Sequence, residues 1–378
     1  MNKEQAENLI ARLSANLRDG TQDLGERVES RPASDYANPQ VYASETANIF
    51  KRLPLLVGHA SQAPNAGDFI TIPFAGPPLL IVRQNDGGLR AFVNACRHRG
   101  AMLTTAASGH QSAIICPYHG WRYGLDGRLA NITARDCFPG VDPASHGLIE
   151  VPLEVCEGLV FVITTPGASL NAREWLGPIA DLLHGFDLAS HRHFRTELIE
   201  TQFNWKIGIE GALETYHFRP LHAKTIAPIF NGMATSYDHW APHQRQSVAK
   251  PTLLRATHPD GPLALLRDQI LQTYFLFPCT QVSVTNDHIL LTFFYPHGVG
   301  GCTMVYGLLT PQNASDETHQ AHWERTWKLT RSVLSEDFAV QESIQRAAET
   351  GNAAPLTIGL FEQALARFHA AIDGYGVG

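Results

Sequence analysis

Cys96-Arg97-His98-Arg99-Gly100 and, further along, Cys116-Pro117-Tyr118-His119-Gly120-Trp121 are the stretch on which the reading of this chain turns. Two cysteine–histidine pairs, Cys-x-His and Cys-x-x-His, are separated by seventeen residues, 99–115. Each spacing lets one tight loop aim a thiolate and an imidazole at the same group. Mixed pairs of this kind suit a [2Fe–2S] cluster, with Cys96 and Cys116 on one iron and His98 and His119 on the other. The competing use of four such ligands is a single zinc ion. Zinc sites pair like ligands, two cysteines two to four residues apart and two histidines three to five apart, whereas each pair here is mixed.

That ligand set defines a Rieske cluster, in which two neutral histidines replace two cysteines on one iron and raise its reduction potential. The residues around it read as a scaffold of short strands. Leu55–Val57, Phe69–Pro73, Leu79–Arg83 and Leu89–Ala95 are apolar runs, and Asn85-Asp86-Gly87-Gly88 is a turn signal between the last two. Ser112–Cys116 and Trp121–Gly124 flank the second pair, and Gly147–Glu154 and Gly158–Thr164 close the segment. Residues 45–165 are therefore expected to form an all-β domain, a small sandwich or barrel with the cluster on its loops.

On either side the pattern changes. Leu9, Ile10, Leu13 and Leu17 recur at helical spacing, so residues 1–44 read as a helix and polar arm that pack with the second domain. Residues 166–378 open with a linker that is helical around Trp175–Leu183, then a strand Arg195–Phe203 and a helix from Trp205 to Phe218. Leu271–Phe277, Thr280–Thr285, Ile289–Tyr295 and Thr303–Leu309 read as one antiparallel sheet, followed by helices over about 316–350 and 358–373. Strands flanked by helices at the ends indicate an α+β domain.

The 378 residues exceed what one core supports, so two domains are the prior expectation. With 44% hydrophobic and 17% charged residues the composition is that of a globular protein. A net charge of −7 argues against nucleic acid as a partner, because phosphate binding needs a basic face. No apolar run approaches the ~20 residues of a membrane span. Met1-Asn2-Lys3-Glu4-Gln5 lacks the apolar run of a signal peptide. Six cysteines in a chain this long do not make a disulfide framework; Cys137, Cys156, Cys279 and Cys302 read as buried thiols, and the expected compartment is the cytoplasm. With no GxGxxG fingerprint, the chain is not expected to bind NAD(P)H itself.

A second constellation lies at the end of the Trp205 helix, in Glu210-Gly211-Ala212-Leu213-Glu214-Thr215-Tyr216-His217-Phe218-Arg219-Pro220-Leu221-His222. His217 is expected on the last turn and His222 just beyond, with Pro220 ending the helix. Joined by one carboxylate, the two imidazoles would form a 2-His-1-carboxylate triad, which leaves positions open for O2 on Fe(II). In the late helix Trp327, Thr330, Leu334 and Asp337 follow one face, which makes Asp337 the expected carboxylate. Glu336 is rotated off that face, and Glu342 is a less favoured substitute. Leu213, the segment Ile226–Tyr237 and strand residues near Phe275, Val284 and Phe293 are the expected pocket region. Arg219, His239 and His243 could meet a substrate carboxylate but are assigned no role.

Taken together, these motifs resemble the α subunit of the Rieske non-heme iron ring-hydroxylating oxygenases. The resemblance runs from Cys96–Trp121 through Asn204-Trp205-Lys206 and the Glu214, His217, His222 motif to Glu336-Asp337, nearly the whole chain. It implies a Rieske domain joined to a helix-grip (START-like) catalytic domain, in a trimer, α3 or α3β3. It also implies an NAD(P)H-dependent reductase, with or without a ferredoxin, and reductive activation of O2 at mononuclear Fe(II). Monohydroxylation, cis-dihydroxylation and oxidative demethylation all belong to that chemistry. By motif position Glu214 would carry the electron between subunits, joining His217 to His119 of the partner subunit. The family more often has Asp there, and Asn where this chain has Gly211. A Glu bridge resembles the branch acting on carnitine and other betaines, while the overall sequence reads closer to the oxygenases of aromatic rings. A small aromatic substrate is thus the first expectation and a quaternary ammonium compound the alternative.

Two other classes compete. A Rieske electron carrier would contain the cluster's two irons but no third, leaving Glu214, His217, His222 and Asp337 unused. A helix-grip binding protein with structural zinc would be colourless.

Overall fold

The computed structural model describes residues 1–73, 76–230, 234–314 and 317–377. Two compact units divide the chain: Ala47–Trp175, and a larger one made of Met1–Thr46 with Leu176–Gly378.

In the smaller unit, short antiparallel strands build three sheets. The first runs Glu150–Val151, Leu89–Val93, Leu79–Arg83, Asp68–Ile72, Ser108–His110 in spatial order. The second joins Leu153–Cys156, Leu159–Val162 and Leu55–His59. The third, Ile114–Ile115, Arg122–Tyr123 and Leu129–Asn131, carries the second Cys–His loop. Leu80, Val82, Phe92, Trp121 and Tyr123 form one core, with Cys96 and Cys116 inside it. Ser108–His110 and Leu129–Asn131 are not visible in the sequence. The first is wholly exposed and the second buries only Leu129, so neither carries an alternating apolar signal. Cys137 departs from expectation: it is exposed, in the polar turn Arg135–Cys137, while Cys156, Cys279 and Cys302 are buried.

A seven-stranded antiparallel sheet dominates the larger unit, in the order Arg192–Thr201, Cys302–Thr310, Ile289–Pro296, Thr280–Val284, Ile270–Leu276, His243–Ala249, Thr235–Trp240. The last two strands were not anticipated, because their buried side chains are polar and pair with one another. Arg245 donates to Asp238 at 2.6 Å and to Gln272 at 3.2 Å, and Gln246 donates to the Leu213 carbonyl at 3.0 Å. His243 is buried in its strand, where Nδ1 accepts from the Phe277 amide at 3.0 Å. His239 and Arg219 are exposed. Of the expected pocket segment, residues 231–233 lie outside the described ones and Thr235 onward is strand.

Helices cover the face marked by Gln281, which donates to the Ala212 carbonyl at 2.7 Å. Phe275 pairs with Gln281 and shares that face; Val284 and Phe293, which pair with Gln272 and Thr280, lie on the opposite one. The N-terminal helix runs Lys3–Asp19 from an Asn2–Gln5 capping box, and buries Ala6, Leu9 and Leu13 against Leu253, Leu266 and Ile270.

The Asn204-Trp205-Lys206 motif turns out to be an anchor. Asn204 caps the helix Trp205–Ala212 by accepting from the Lys206 amide at 3.0 Å. Trp205 Nε1 donates to Glu45 at 2.8 Å, and the buried Lys206 ammonium pairs with the other oxygen of the same carboxylate. Both charges are withdrawn from water, so removing one strands the other. Lys206→Met is expected to cost about 3–5 kcal/mol and to lower the thermal midpoint by roughly 10 °C. Lys206→Met combined with Glu45→Leu should cost less than Lys206→Met alone. Equal destabilisation of the two variants in a melting experiment would refute the pairing argument.

Candidate active site

The two cluster loops are built alike. Gly100 N donates to Cys96 O at 2.9 Å and Gly120 N to Cys116 O at 3.0 Å, closing one turn around each Cys–His pair. Both glycines have positive φ, +75° and +70°, which an L side chain resists. Cys96 N and Cys116 N then each pair with the residue after that glycine, Ala101 O and Trp121 O, at 2.8 Å. The loops thus present His98 and His119 side by side, with ring centroids 4.7 Å apart. Trp121 stacks on His98 at 5.0 Å, and Phe138 meets the same ring edge-on. The Tyr123 hydroxyl lies 3.2 Å from Cys96 Sγ and accepts from the Arg97 amide at 3.0 Å. Burial pushes the Cys96 thiol above its ordinary pKa, a cost that a bound metal would reverse by favouring thiolate.

Buried polar atoms normally find partners, yet Nδ1 of His98 and Nδ1 of His119 have none. Two buried thiols and two orphaned imidazole nitrogens are the donor set of a [2Fe–2S] cluster. They do not suit one zinc. Four-ligand zinc sites pair like donors, whereas each loop here offers one thiol and one imidazole.

In the larger unit the helix Trp205–Ala212 stops a turn and a half earlier than the sequence suggests. The cause is Glu214. Its carboxylate accepts from the Tyr216 amide and, at 3.2 Å, from the His217 amide, so the side chain takes donors that a continuing helix would use. The chain then makes a single-turn helix, Phe218–Leu221, with His217 at its N-terminal cap and His222 at its C-terminal cap. Pro220 lies inside this turn, where its missing N–H costs nothing, and does not end the earlier helix. The two imidazoles face each other with centroids 5.0 Å apart.

Asp337 comes from the helix Glu317–Glu349, and its Oδ1 lies 3.2 Å from His222 Nε2 and 3.8 Å from His217 Nε2. Each ring has a carboxylate on its other nitrogen. Glu214 holds Nδ1 of His217, and Glu336 holds Nδ1 of His222 at 2.6 Å. A carboxylate accepts, so Nδ1 of each ring carries a proton, and Nε2, which shares its side with Asp337, is the nitrogen left for a metal. Burial opposes the charged form of His222, but the Asp337 and Glu336 carboxylates outweigh it and raise its pKa. Two imidazole nitrogens and one carboxylate oxygen converging from one side fit a facial triad. Glu342 is not among them; it pairs with Arg346 at 3.8 Å.

Beside the triad is a cavity of about 300 Å³, lined in part by Tyr36, Glu210, Glu214, Gln341, Glu362 and His369. Gly211 also lines it, and a Cβ there would come within 2.7 Å of Gln341 Nε2. Gln341 thus fills the space that a larger residue at 211 would need. Tyr36 and His369 were missed in the sequence, and Glu336, read there only as the neighbour of Asp337 rotated off its face, was not foreseen as the partner of His222.

A protein with a cluster domain of this kind and a separate triad built on an α+β sheet belongs to the Rieske non-heme iron oxygenases. Residues 54–150 match the Rieske [2Fe-2S] domain and residues 188–375 match the ring hydroxylating alpha subunit (catalytic domain), and the chain is a member of that family. Its members carry the cluster and a mononuclear iron, use O2 as co-substrate, and draw electrons from a reductase. The carnitine monooxygenase oxygenase subunit of Escherichia coli K12 is 29% identical over 84% of this chain and 84% of its own length. The glycine betaine monooxygenase oxygenase subunit of Chromohalobacter salexigens is 31% identical over 62% of this chain and 53% of its own. A solved quaternary ammonium Rieske monooxygenase superposes with a TM-score of 0.80 at 24% identity, covering 92% of this chain and 96% of that one. Among the described residues no helix is long and apolar enough to cross a membrane.

Proposed function

We propose that this chain is the terminal oxygenase of a system that hydroxylates a carbon of a small quaternary ammonium compound. This takes up the alternative reading rather than the aromatic one. The observation that carries it is Glu214, a Glu where the family more often has Asp, on a chain whose relatives include a carnitine monooxygenase subunit matched over 84% of its length and a glycine betaine monooxygenase subunit matched over 53% of its own. Overall, O2 takes two electrons and two protons; one oxygen enters a C–H bond and the other leaves as water. Where the hydroxylated carbon is attached to the ammonium nitrogen, the C–N bond breaks, giving a tertiary amine, a carbonyl compound and a proton.

Cys96, His98, Cys116 and His119 would hold the cluster, and His217, His222 and Asp337 the mononuclear iron. When bound, these groups supply single electrons and a site for O2 reduction. The protein residues orient them. Glu214 fixes the ring of His217 and, from the cavity wall, accepts a hydrogen bond from His119 of the partner subunit, which makes a trimer the working unit. Charge supports that docking between copies: Arg97 and Arg99 flank His98 in the sequence, and Glu210 and Glu362 stand near Glu214. A cytoplasmic NAD(P)H-dependent reductase, directly or through a ferredoxin, completes the system.

The test begins with iron and acid-labile sulfide per chain on anaerobically purified protein, where the cluster's two irons plus one and two sulfides are expected. Reductase-coupled O2 uptake with carnitine, glycine betaine and choline should then release formaldehyde or an amine from at least one of them. Uptake with aromatic acids and none with the ammonium compounds would overturn the substrate assignment. Loss of the third iron from freshly prepared protein, not restored by Fe(II), would overturn the oxygenase reading.

A further inference from the structure

We infer that Glu336 is a positioning residue for the mononuclear site: it locks the His222 ring, and it does so without any part in the electron route. The inference rests on the reading of His217, His222 and Asp337 as a metal site. His222 is 2% exposed, so its Nδ1 has no water to turn to. Glu336 Oε2 fills that need at 2.6 Å and accepts a second bond from Thr225 Oγ1 at 2.8 Å. Thr225 lies three residues beyond His222, so the carboxylate also ties down the segment that carries the ring.

The long helix therefore grips both nitrogens of one imidazole with two consecutive residues. Asp337 Oδ1 approaches Nε2 at 3.2 Å from one side and Glu336 Oε2 approaches Nδ1 from the other. Neighbours on a helix point about 100° apart, and His222 sits between the two side chains. This geometry also decides which of the two binds metal. Glu336 stands behind the ring, outside the converging set of His217, His222 and Asp337.

Glu214 and Glu336 are thus unlike in their freedom. Glu214 lines an open cavity from which a second group can reach its carboxylate. Glu336 spends one oxygen on two fixed donors of its own chain. Removing it should loosen the ring and weaken metal retention, while electron delivery to the sites that still hold iron should be unchanged.

The experiment compares cluster-replete wild type, Glu336→Gln, Glu336→Ala and His217→Ala. Rates of Fe(II) release to a chelator are measured, together with the EPR spectrum of the nitric oxide adduct while the cluster is oxidised and silent. Loss of an outer carboxylate of this kind weakens metal binding about 10–100-fold, so Glu336→Ala should release iron faster by roughly that factor. Glu336→Gln, which keeps an acceptor but not the charge, should fall between Glu336→Ala and wild type. The adduct spectrum should broaden or shift in both variants, and cluster reoxidation per bound iron should match wild type. Wild-type release and an unchanged spectrum in both variants would overturn the inference. If Glu336→Ala fails to fold, the near-isosteric Glu336→Gln decides on the same criteria. Wild-type iron retention in His217→Ala would instead show that the metal site itself is misassigned.

Discussion

Glu214→Gln is expected to keep both metal sites occupied in freshly prepared protein and to lose turnover per bound iron by about 100-fold. The substitution is nearly isosteric, so the loop from Leu213 to His217 retains its shape. It cannot retain the bonding. In the native site one oxygen holds His217 Nδ1 while the other accepts from the amides of Tyr216 and His217. An amide has one acceptor, so the nitrogen must face either a ring donor or two backbone donors. The negative charge that would face His119 of the partner subunit is lost as well. The discriminating measurement is a single turnover: the cluster is reduced beforehand, mixed with O2 and substrate, and its reoxidation followed optically. Slow reoxidation with full iron content assigns Glu214 to the electron route. Reoxidation at the wild-type rate refutes that role.

Asp337→Ala should have the opposite signature, with the cluster intact, mononuclear iron absent and turnover below detection. Asp337 supplies the one anionic atom in the converging set, and its Oδ1 stands between the two Nε2 atoms at 3.2 and 3.8 Å. Two neutral imidazoles alone hold Fe(II) weakly, because neither offsets its charge. No compensating carboxylate is at hand among the described residues, since Glu336 is committed behind His222 and Glu342 pairs with Arg346. Metal analysis should show the third iron missing while the reduced Rieske EPR signal persists. Full iron retention would place the third ligand elsewhere.

Much of this site is legible in the sequence because its ligands come in local pairs. Cys96–His98, Cys116–His119 and His217–His222 each lie within one loop or one turn, and the short spacing confines both side chains to one neighbourhood. The strands of the small unit and most of the large sheet show through alternating apolar runs for the same reason, since period and turn chemistry act over a few residues. Where side chains satisfy each other across strands, the signal vanishes. Thr235–Trp240 and His243–Ala249 are largely buried yet polar, held by Arg245, Asp238 and Gln246, and local pattern reads them as loop. Cys137, read as a buried thiol by residue type, is exposed because its turn is polar.

By itself the sequence determined the two-unit α+β plan, the family and the local pairing of Cys96 with His98, Cys116 with His119 and His217 with His222. Tertiary structure alone decided how His217, His222 and Asp337 are held. It ended the Trp205 helix at Ala212, through the competition of the Glu214 carboxylate for backbone donors. It set Glu336 behind His222 across 114 residues, and Lys206 against Glu45 across 161. Spacing along the chain fixes only which groups can share a loop. Which carboxylate meets which nitrogen depends on the rotation and depth at which a distant helix packs, and that is set by the whole core.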